Sequence, residues 1–352
     1  MEDLVERFVS NHGLKNREEY RELLKCLEEP EASAYVQAEA TRLRKKYYGE
    51  NVYIRGLLEF TNYCKNGCYY CGINRENQKT IRYRLTAEEI LECCENGWRL
   101  GVRTFVLQGG EDPWFTDERL IGLIHEIKGT YPQCALTLSI GERSFESYQR
   151  LREAGADRYL LRHETANEAH YRRLHPKDMS LSRRKQCLRE LKSLGFQTGA
   201  GFMVGSPGQT YEELGEDLIF LRELKPEMVG IGPFIPHHDT RFANEAAGSV
   251  ELTLKLLSVI RILLPTVLLP ATTALGTLAD DGRERGLLAG ANVVMPNLSP
   301  KRNRKQYSLY DNKLCEGEEA MEGLNGLAQR VEAIGYHLSM ERGDAIGFRE
   351  SL

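Results

Sequence analysis

Short apolar segments that alternate with helices constrain the fold of this chain more than any other feature. Eight candidate strands follow the first fifty residues, and most of them are apolar throughout. They span residues 52–60, 104–108, 135–139, 158–162, 197–203, 228–233, 266–269 and 291–295. Strands of this kind are typical of a parallel sheet that is buried on both faces. The alternation predicts an α/β fold, a (β/α)8 TIM-type barrel, with a doubly wound open sheet as the alternative.

Helix signals support this alternation and suggest three segments. Thr86 and Thr210 each begin a capping box, with a glutamate three residues later. Further helices are predicted before the first strand, over residues 4–9, 17–27 and 32–47. The predicted organisation is an N-terminal helical extension over 1–50, a barrel over 51–315, and a C-terminal helical segment over 316–352 that packs on the barrel. In such a barrel the active site lies at the carboxyl ends of the strands.

Charge and hydropathy argue against several classes of partner. The 352 residues carry a formal net charge of −4, which does not suit a surface that neutralises nucleic-acid phosphates. The most apolar run, over 259–269, is interrupted by Arg261 and Pro265, so no membrane span is expected. The N-terminus also lacks the basic-then-apolar pattern of a secretory signal. We therefore expect a cytoplasmic protein, and a monomer because no coiled coil or interaction tail is visible.

Three of the nine cysteines are clustered directly after the first predicted strand. Cys64, Cys68 and Cys71 have the spacing C-x3-C-x2-C. Three thiolates this close can bind one iron–sulfur cluster and leave one iron without a protein ligand. A structural zinc site would need a fourth nitrogen or sulfur ligand, and none lies nearby in the sequence. Unreactive thiols are the remaining alternative.

The cysteine motif resembles that of the radical S-adenosylmethionine (SAM) superfamily. The resemblance includes an aromatic residue, Tyr70, just before the third cysteine. It implies an oxygen-sensitive [4Fe–4S] cluster that is bound by the three cysteines and whose open iron binds SAM. It also implies reductive cleavage of SAM to methionine and a 5′-deoxyadenosyl radical. Cys64, Cys68 and Cys71 are thus the candidate metal ligands and catalytic residues.

The same resemblance implies a set of SAM-binding residues in the segments that follow strands one, two, four, five and six. A Gly-Gly-Glu segment after strand two is the most specific of these signals, although a plain βα turn would have a similar sequence. Arg183 and Arg184 are alternatives for an arginine that binds the SAM carboxylate, since a guanidinium fits a carboxylate well. A surface ion pair is the other interpretation of each arginine. The candidates are Tyr70, Gln108, Gly109, Gly110, Glu111, Glu164, Arg183, Arg184, Met203 and Ile231.

Within the superfamily the chain resembles the HydE group of [FeFe]-hydrogenase maturases, from about residue 40 to 315. The matching stretches include residues 159–167, 230–237, 270–274 and 291–297. The resemblance implies a radical attack on the cysteine sulfur of an iron complex with carbon monoxide and cyanide ligands, which yields an iron species for diiron subcluster assembly. The expected substrate pocket consists of Thr137, Ser139, Arg162, Met228, Thr272, Thr273, Met295, Tyr307 and Tyr310. Ordinary barrel core is the alternative role for the threonines and methionines among them.

Other functions in the same group remain open. A methylornithine synthase-type lysine mutase would use the same cofactor and barrel, and a non-catalytic iron–sulfur carrier would need only the cysteine loop. Cys315 is the only cysteine near the C-terminus, which argues against a second cluster there. The absence of further clustered cysteines also argues against biotin synthase. Other hydrogenase maturases and an electron donor are the expected protein partners.

Overall fold

The computed structural model describes residues 2–314 and 320–348. Its helices are α1 (Glu2–Asn11), α2 (Arg17–Cys26), α3 (Pro30–Tyr48), α4 (Ala87–Arg99), α5 (Asp117–Thr130), α6 (Phe145–Glu153), α7 (Glu168–Leu174), α8 (Leu181–Ser193), α9 (Tyr211–Leu224), α10 (Val250–Leu263), α11 (Thr273–Leu278), α12 (Gly282–Leu288), α13 (Lys301–Arg304) and α14 (Ala320–Ala333). The strands are β1 (Asn51–Ile54), β2 (Gly56–Thr61), β3 (Thr104–Gly109), β4 (Ala135–Ser139), β5 (Arg158–Leu160), β6 (Gln197–Ala200), β7 (Met203–Val204), β8 (Met228–Val229), β9 (Gly232–Pro233), β10 (Val293–Val294) and β11 (His337–Ser339). Cys315 lies outside the described residues.

The strands close into a parallel barrel. β2, β3, β4, β5, β6 and β8 form one sheet in this order. Two isolated bridges, Met228 with Leu268 and Pro270 with Val293, extend this sheet from β8 to β10. β10 in turn pairs with β1, which directly precedes β2. A further bridge from Leu57 to Asn297 completes the ring. The predicted (β/α)8 barrel is therefore confirmed.

Several predicted strands are interrupted where the backbone changes partner. Residues 52–60 divide into β1, which pairs with β10 and β11, and β2, which pairs with β3. Residues 197–203 divide at Gly201, whose φ is +153°. A Cβ there would lie 1.9 Å from the carbonyl oxygen of Gly230, between β8 and β9. Only glycine allows these two segments to approach so closely.

The helices follow their sequence signals closely. The capping boxes of Thr86 with Glu89 and of Thr210 with Glu213 both form. Asn16 caps α2 through the backbone N–H of Glu19. The N-terminal helices pack on the outside of the barrel, α2 against α9 and α3 against α10. The domain boundaries remain a prediction, and the described part of the C-terminal segment contains strand β11 as well as helix α14.

The C-terminal segment closes the amino-terminal end of the barrel. β11 pairs with β1, and the chain then passes beneath the starts of the inner strands. The carbonyl oxygen of Arg342 accepts hydrogen bonds from Arg55, Thr104 and Arg158. Asp344 pairs with Arg158 at 2.7 Å. Entry to the barrel is thus left to the carboxyl ends of the strands, where the cysteine loop lies.

No helix among the described residues has both the length and the apolar composition needed to cross a membrane.

Candidate active site

The cysteine loop follows β2 and is tied to its surroundings mainly through backbone hydrogen bonds. The N–H of Lys65 donates to the carbonyl of Glu111 at 2.9 Å, and that of Tyr69 donates to the carbonyl of Leu174 at 3.0 Å. The N–H of Gly72 donates to the carbonyl of Leu309 at 2.9 Å. Three separate segments therefore hold the loop in place at the mouth of the barrel.

The three thiols are partly buried and lie close enough to affect one another. Burial raises the pKa of Cys71 to about 12, and repulsion from Cys64 adds to this shift. Burial, followed by repulsion from Cys71 and Cys64, raises the pKa of Cys68 well above its ordinary value. Thiols in such a setting keep their protons until a metal replaces them, so cluster assembly releases protons.

The spacing of the three sulfurs fits a cluster better than a single zinc ion. Among the described residues, the one group of three histidine, cysteine or carboxylate side chains with all ligand atoms within 4.8 Å of one another is His237, His238 and Asp239. At least two of the three cysteine sulfurs are therefore more than 4.8 Å apart. Two sulfurs on one zinc ion, each about 2.3 Å from it, can be no more than about 4.6 Å apart.

Arg82 organises the loop and was missed by sequence reasoning. Its guanidinium donates to the carbonyl of Ile73 at 2.8 Å and to that of Asn74 at 2.6 Å, and it also reaches the carbonyl of Asn62. Its positive charge partly offsets the effect of burial on the pKa of Cys64. No sequence motif marks Arg82, because its role depends on the fold that brings residue 82 back beside the cysteine loop.

The Gly-Gly-Glu segment packs directly against the cysteine loop. A Cβ on Gly110 would lie 2.2 Å from the carbonyl oxygen of Tyr63 and 2.8 Å from the Cβ of Cys64. The side chain of Glu111 accepts a hydrogen bond from the N–H of Glu142 at 2.8 Å. Gly109 lies at the end of β3, so strand pairing aligns this segment with the start of the cysteine loop.

Glu164 has a backbone conformation that is rare for a residue with a side chain. Its φ is +66°, and such strain costs about 1–3 kcal/mol and is found most often at functional sites. The N–H of Glu164 donates to the carbonyl of Gly201 at 3.1 Å. His163 holds the same loop through a 3.1 Å contact with the buried carboxylate of Asp217. Burial keeps the pKa of His163 well below its ordinary value.

The two candidate arginines lie in different environments. The Nε of Arg184 is 2.7 Å from Glu142 and its Nη2 is 3.9 Å from Glu111, and its side chain is only 9% exposed. Arg183 pairs instead with Glu190 at 3.0 Å and is 38% exposed. Arg184 therefore lies beside the Gly-Gly-Glu segment, whereas Arg183 pairs with a residue of its own helix, α8.

Apolar side chains form a wall beside the cysteine loop. The hydroxyl of Tyr70 lies 3.3 Å from Nε2 of His175, and the two rings meet edge to face. Tyr70 also packs on a buried cluster that contains Met203 and Phe234. Ile231 is fully buried between β8 and β9. This wall can shield a reactive species from water.

The predicted pocket residues lie on the inner strands and the loops above them. Thr137 and Tyr307 are buried, and the other seven are partly buried: Ser139, Arg162, Met228, Thr272, Thr273, Met295 and Tyr310. Met228 and Met295 pack on a buried cluster that contains Tyr53 and Ala345, close to the closed end of the barrel. Contact of these residues with a substrate stays a prediction.

Buried polar atoms without a hydrogen-bond partner concentrate at the mouth of the barrel. Atoms of this kind are costly unless a ligand or water satisfies them. Arg162 with Glu164, at 3.0 Å, and Arg184 with Glu142, at 2.7 Å, form ion pairs that lack hydrogen-bond geometry. The atoms at the site are Thr137 Oγ1, Glu142 Oε1, Arg162 Nε and Nη2, Glu164 Oε2, Tyr171 OH, Arg184 Nε and Thr272 Oγ1. Their mixture of carboxylate, guanidinium and hydroxyl groups fits a zwitterionic amino acid such as the methionine portion of SAM.

A buried ion pair inside the barrel was also missed by sequence reasoning. Lys313 pairs with Glu59, and these side chains are only 9% and 1% exposed. Asn297 donates to the second carboxylate oxygen of Glu59 at 2.8 Å. Lys313 also donates to the carbonyl of Tyr307, whose hydroxyl lies 3.4 Å from Gln108. This network anchors the 306–314 segment over the mouth of the barrel.

Comparison with known proteins agrees with this geometry. The family description "Radical SAM superfamily" matches residues 58–221. The chain is 48% identical to the [FeFe] hydrogenase maturase subunit HydE of Thermotoga maritima, over 84% of each protein. It is 29% identical to 3-methylornithine synthase of Methanosarcina acetivorans, over 89% of this chain and 86% of that protein. The crystal structure of methylornithine synthase (PylB) superimposes with a TM-score of 0.82 at 28% identity, over 96% of this chain and 97% of that one.

The barrel and its three-cysteine loop thus define a radical SAM enzyme, which uses a [4Fe–4S] cluster and SAM. Within that superfamily, the chain belongs to the HydE family.

Proposed function

We propose that this chain is a maturase of [FeFe]-hydrogenase that acts on a mononuclear iron complex with cysteine, carbon monoxide and cyanide ligands. The observation that carries the proposal is the 48% identity to the maturase subunit HydE over 84% of this chain. When bound, the cluster supplies the electron that cleaves SAM to methionine and a 5′-deoxyadenosyl radical. This radical would form a carbon–sulfur bond with the cysteine thiolate of the complex, and the unpaired electron would pass to the iron. The reduced iron would then leave the thioether as the species used for diiron subcluster assembly.

The chain's own residues would bind and orient SAM at the cysteine loop. Cys64, Cys68 and Cys71 would hold the cluster, and SAM would bind to it through its amino and carboxylate groups. Arg184 would bind the SAM carboxylate, and its nearly buried guanidinium beside Glu111 and Glu142 supports this role. The other predicted SAM contacts are backbone and side-chain groups of Tyr70, Gln108, Gly109, Gly110, Glu111, Glu164, Met203 and Ile231.

The polar groups deeper in the barrel would orient the iron complex. The hydroxyls of Thr137 and Thr272 are buried without partners, so a ligand that accepts hydrogen bonds from them would stabilise the site. Arg162 adds a positive charge that suits the cyanide and carboxylate groups of an anionic complex. The apolar wall around Tyr70 would exclude water during the radical step.

Protein partners follow from the same proposal. A partner maturase would supply the iron complex, and an electron donor would reduce the cluster. The iron species that leaves the barrel would be passed to a further maturase.

Anaerobic reconstitution with iron, sulfide, SAM and dithionite tests the central step. We expect the wild type to release 5′-deoxyadenosine and Cys68→Ala to release none. Cys26→Ala is the matched control, because Cys26 lies at the end of α2 on the outside of the barrel. A wild type that binds iron and sulfide without cleaving SAM would instead support a non-catalytic iron–sulfur carrier.

The substrate is tested separately by supplying candidates to the reconstituted enzyme. The iron–cysteine complex should be consumed together with an equal amount of SAM, and the 5′-deoxyadenosyl group should be recovered on the cysteine sulfur rather than as free 5′-deoxyadenosine. A lysine mutase is the second candidate, because methylornithine synthase superimposes on nearly the whole chain. Conversion of L-lysine to methylornithine, with no consumption of the iron complex, would establish that function and refute the maturase proposal.

A further inference from the structure

His237, His238 and Asp239 form a compact group on the loop after β9, at the mouth of the barrel. One ligand atom from each side chain lies within 4.8 Å of the other two. From this geometry we propose that the group binds a divalent late first-row transition-metal ion, at a site separate from the three cysteines. Two imidazoles and one carboxylate suit zinc, iron(II), cobalt(II) or nickel(II), whereas calcium and magnesium prefer oxygen ligands alone.

His238 is oriented as metal-binding histidines are. Its Nδ1 lies 2.6 Å from Oδ1 of Asp311, and its backbone N–H donates to Oδ2 of the same carboxylate at 2.9 Å. The other ring nitrogen, Nε2, faces Oδ2 of Asp239 at 3.1 Å. A carboxylate that holds one ring nitrogen of a histidine fixes the ring and directs the opposite nitrogen toward a metal. Asp311 therefore serves as the outer partner of the site.

His237 gives the site a rigid, buried side. Its ring is 4% exposed and stacks on that of His238, with centroids 4.4 Å apart. Its Nδ1 accepts the backbone N–H of Asp239 at 3.1 Å, so the lone pair of this nitrogen is engaged, and a metal ion at Nδ1 would replace that hydrogen bond. The ring also packs against Gly72 in the cysteine loop, where an added Cβ would lie 2.2 Å from its Cδ2. Packing thus fixes the position of the His237 ring, while the exposed face of His238 leaves an approach for the ion.

Lys79 is the natural competitor for this site. Its ammonium lies 2.6 Å from Oδ1 of Asp239, although its side chain is 79% exposed. An exposed ion pair contributes little, so a metal ion can displace the lysine. Removing the positive charge of Lys79 should strengthen metal binding, whereas removing a metal ligand should weaken it.

Zinc titration of the full-length protein with its cluster already reconstituted tests the proposal. Isothermal titration should show one Zn²⁺ site in the wild type that His238→Ala and Asp239→Asn abolish. Asp311→Asn should weaken it about 10- to 100-fold, as loss of an outer partner does. Lys79→Gln should tighten zinc binding. His125→Ala is the matched control, because His125 is an exposed histidine on α5, and it should bind zinc as the wild type does.

Two results would overturn the metal site. One is equal zinc binding by the wild type and His238→Ala, which would place the zinc elsewhere. The other is tighter binding of Ca²⁺ than of Zn²⁺, which would contradict the nitrogen ligands. Release of 5′-deoxyadenosine by His238→Ala is measured in parallel. This second assay reports on the radical SAM chemistry alone, so failure of the metal site and failure of that chemistry can be told apart.

Discussion

Replacing Gly110 by alanine should separate the Gly-Gly-Glu segment from the cysteine loop while leaving the barrel intact. Gly110 is absent from the glycines with positive φ, so alanine can adopt its backbone conformation. The difficulty is purely steric, because the added Cβ would lie 2.2 Å from the carbonyl oxygen of Tyr63. The two segments would have to separate by about 0.8 Å to reach 3.0 Å, the shortest contact that Cβ atoms show.

The size of the effect follows from this displacement. A shift of about 1 Å at reacting groups can lower a rate about 100-fold. Overpacking of a tight contact costs about 1–3 kcal/mol in the free energy of unfolding. We therefore expect Gly110→Ala to fold, to bind iron and sulfide, and to release 5′-deoxyadenosine about 100-fold more slowly than the wild type.

The assay compares Gly110→Ala with a glycine that has free space around it. Gly122 lies exposed on α5, and no atom lies within 4 Å of its added Cβ. Gly122→Ala should keep the wild-type rate and gain about 0.5–1 kcal/mol of stability, because alanine favours a helix over glycine. Rates are measured per reconstituted cluster, and stability by urea unfolding. Wild-type activity and stability in Gly110→Ala would refute the steric argument.

Three further substitutions test other parts of the structure. Burial alone would raise the pKa of Asp344, but Arg158, Gln197 and Arg342 together outweigh this effect and hold the pKa well below its ordinary value. Asp344→Asn should therefore lower the free energy of unfolding by about 3 kcal/mol at neutral pH. Urea unfolding at several pH values measures the difference in the free energy of unfolding between Asp344→Asn and the wild type. This difference should shrink as the pH falls below about 4, where the carboxyl of the unfolded wild type gains its proton. A difference that stays constant with pH would contradict the prediction. Arg184→Lys should raise the KM for SAM about 10-fold or more, because lysine cannot form a bidentate pair, whereas Arg183→Lys should not; equal effects would refute the assignment. Thr137→Val should raise stability by about 1 kcal/mol, since it removes an unpartnered buried hydroxyl, and should raise the KM for the iron complex; an unchanged KM would place the substrate elsewhere.

Much of this protein could be predicted from local sequence patterns. The alternation of apolar strands and capped helices led to the barrel, because burial on both faces of a parallel sheet leaves a pattern in each strand separately. The spacing of Cys64, Cys68 and Cys71 indicated the cluster, because ligands from one short loop need no distant partner. Capping boxes at Thr86 and Thr210 marked where helices begin for the same reason.

Only the tertiary structure decided which distant groups meet at the mouth of the barrel. The sequence could not distinguish Arg183 from Arg184, since adjacent residues on a helix point in different directions and only packing selects one. It also left Arg82, the pair of Glu59 with Lys313, and strand β11 unrecognised. Each of these depends on contacts between segments far apart in the chain, as with the 254 residues that separate Lys313 from Glu59. No short pattern can encode such a contact, because its energy comes from burial and charge pairing that exist only after the barrel has closed.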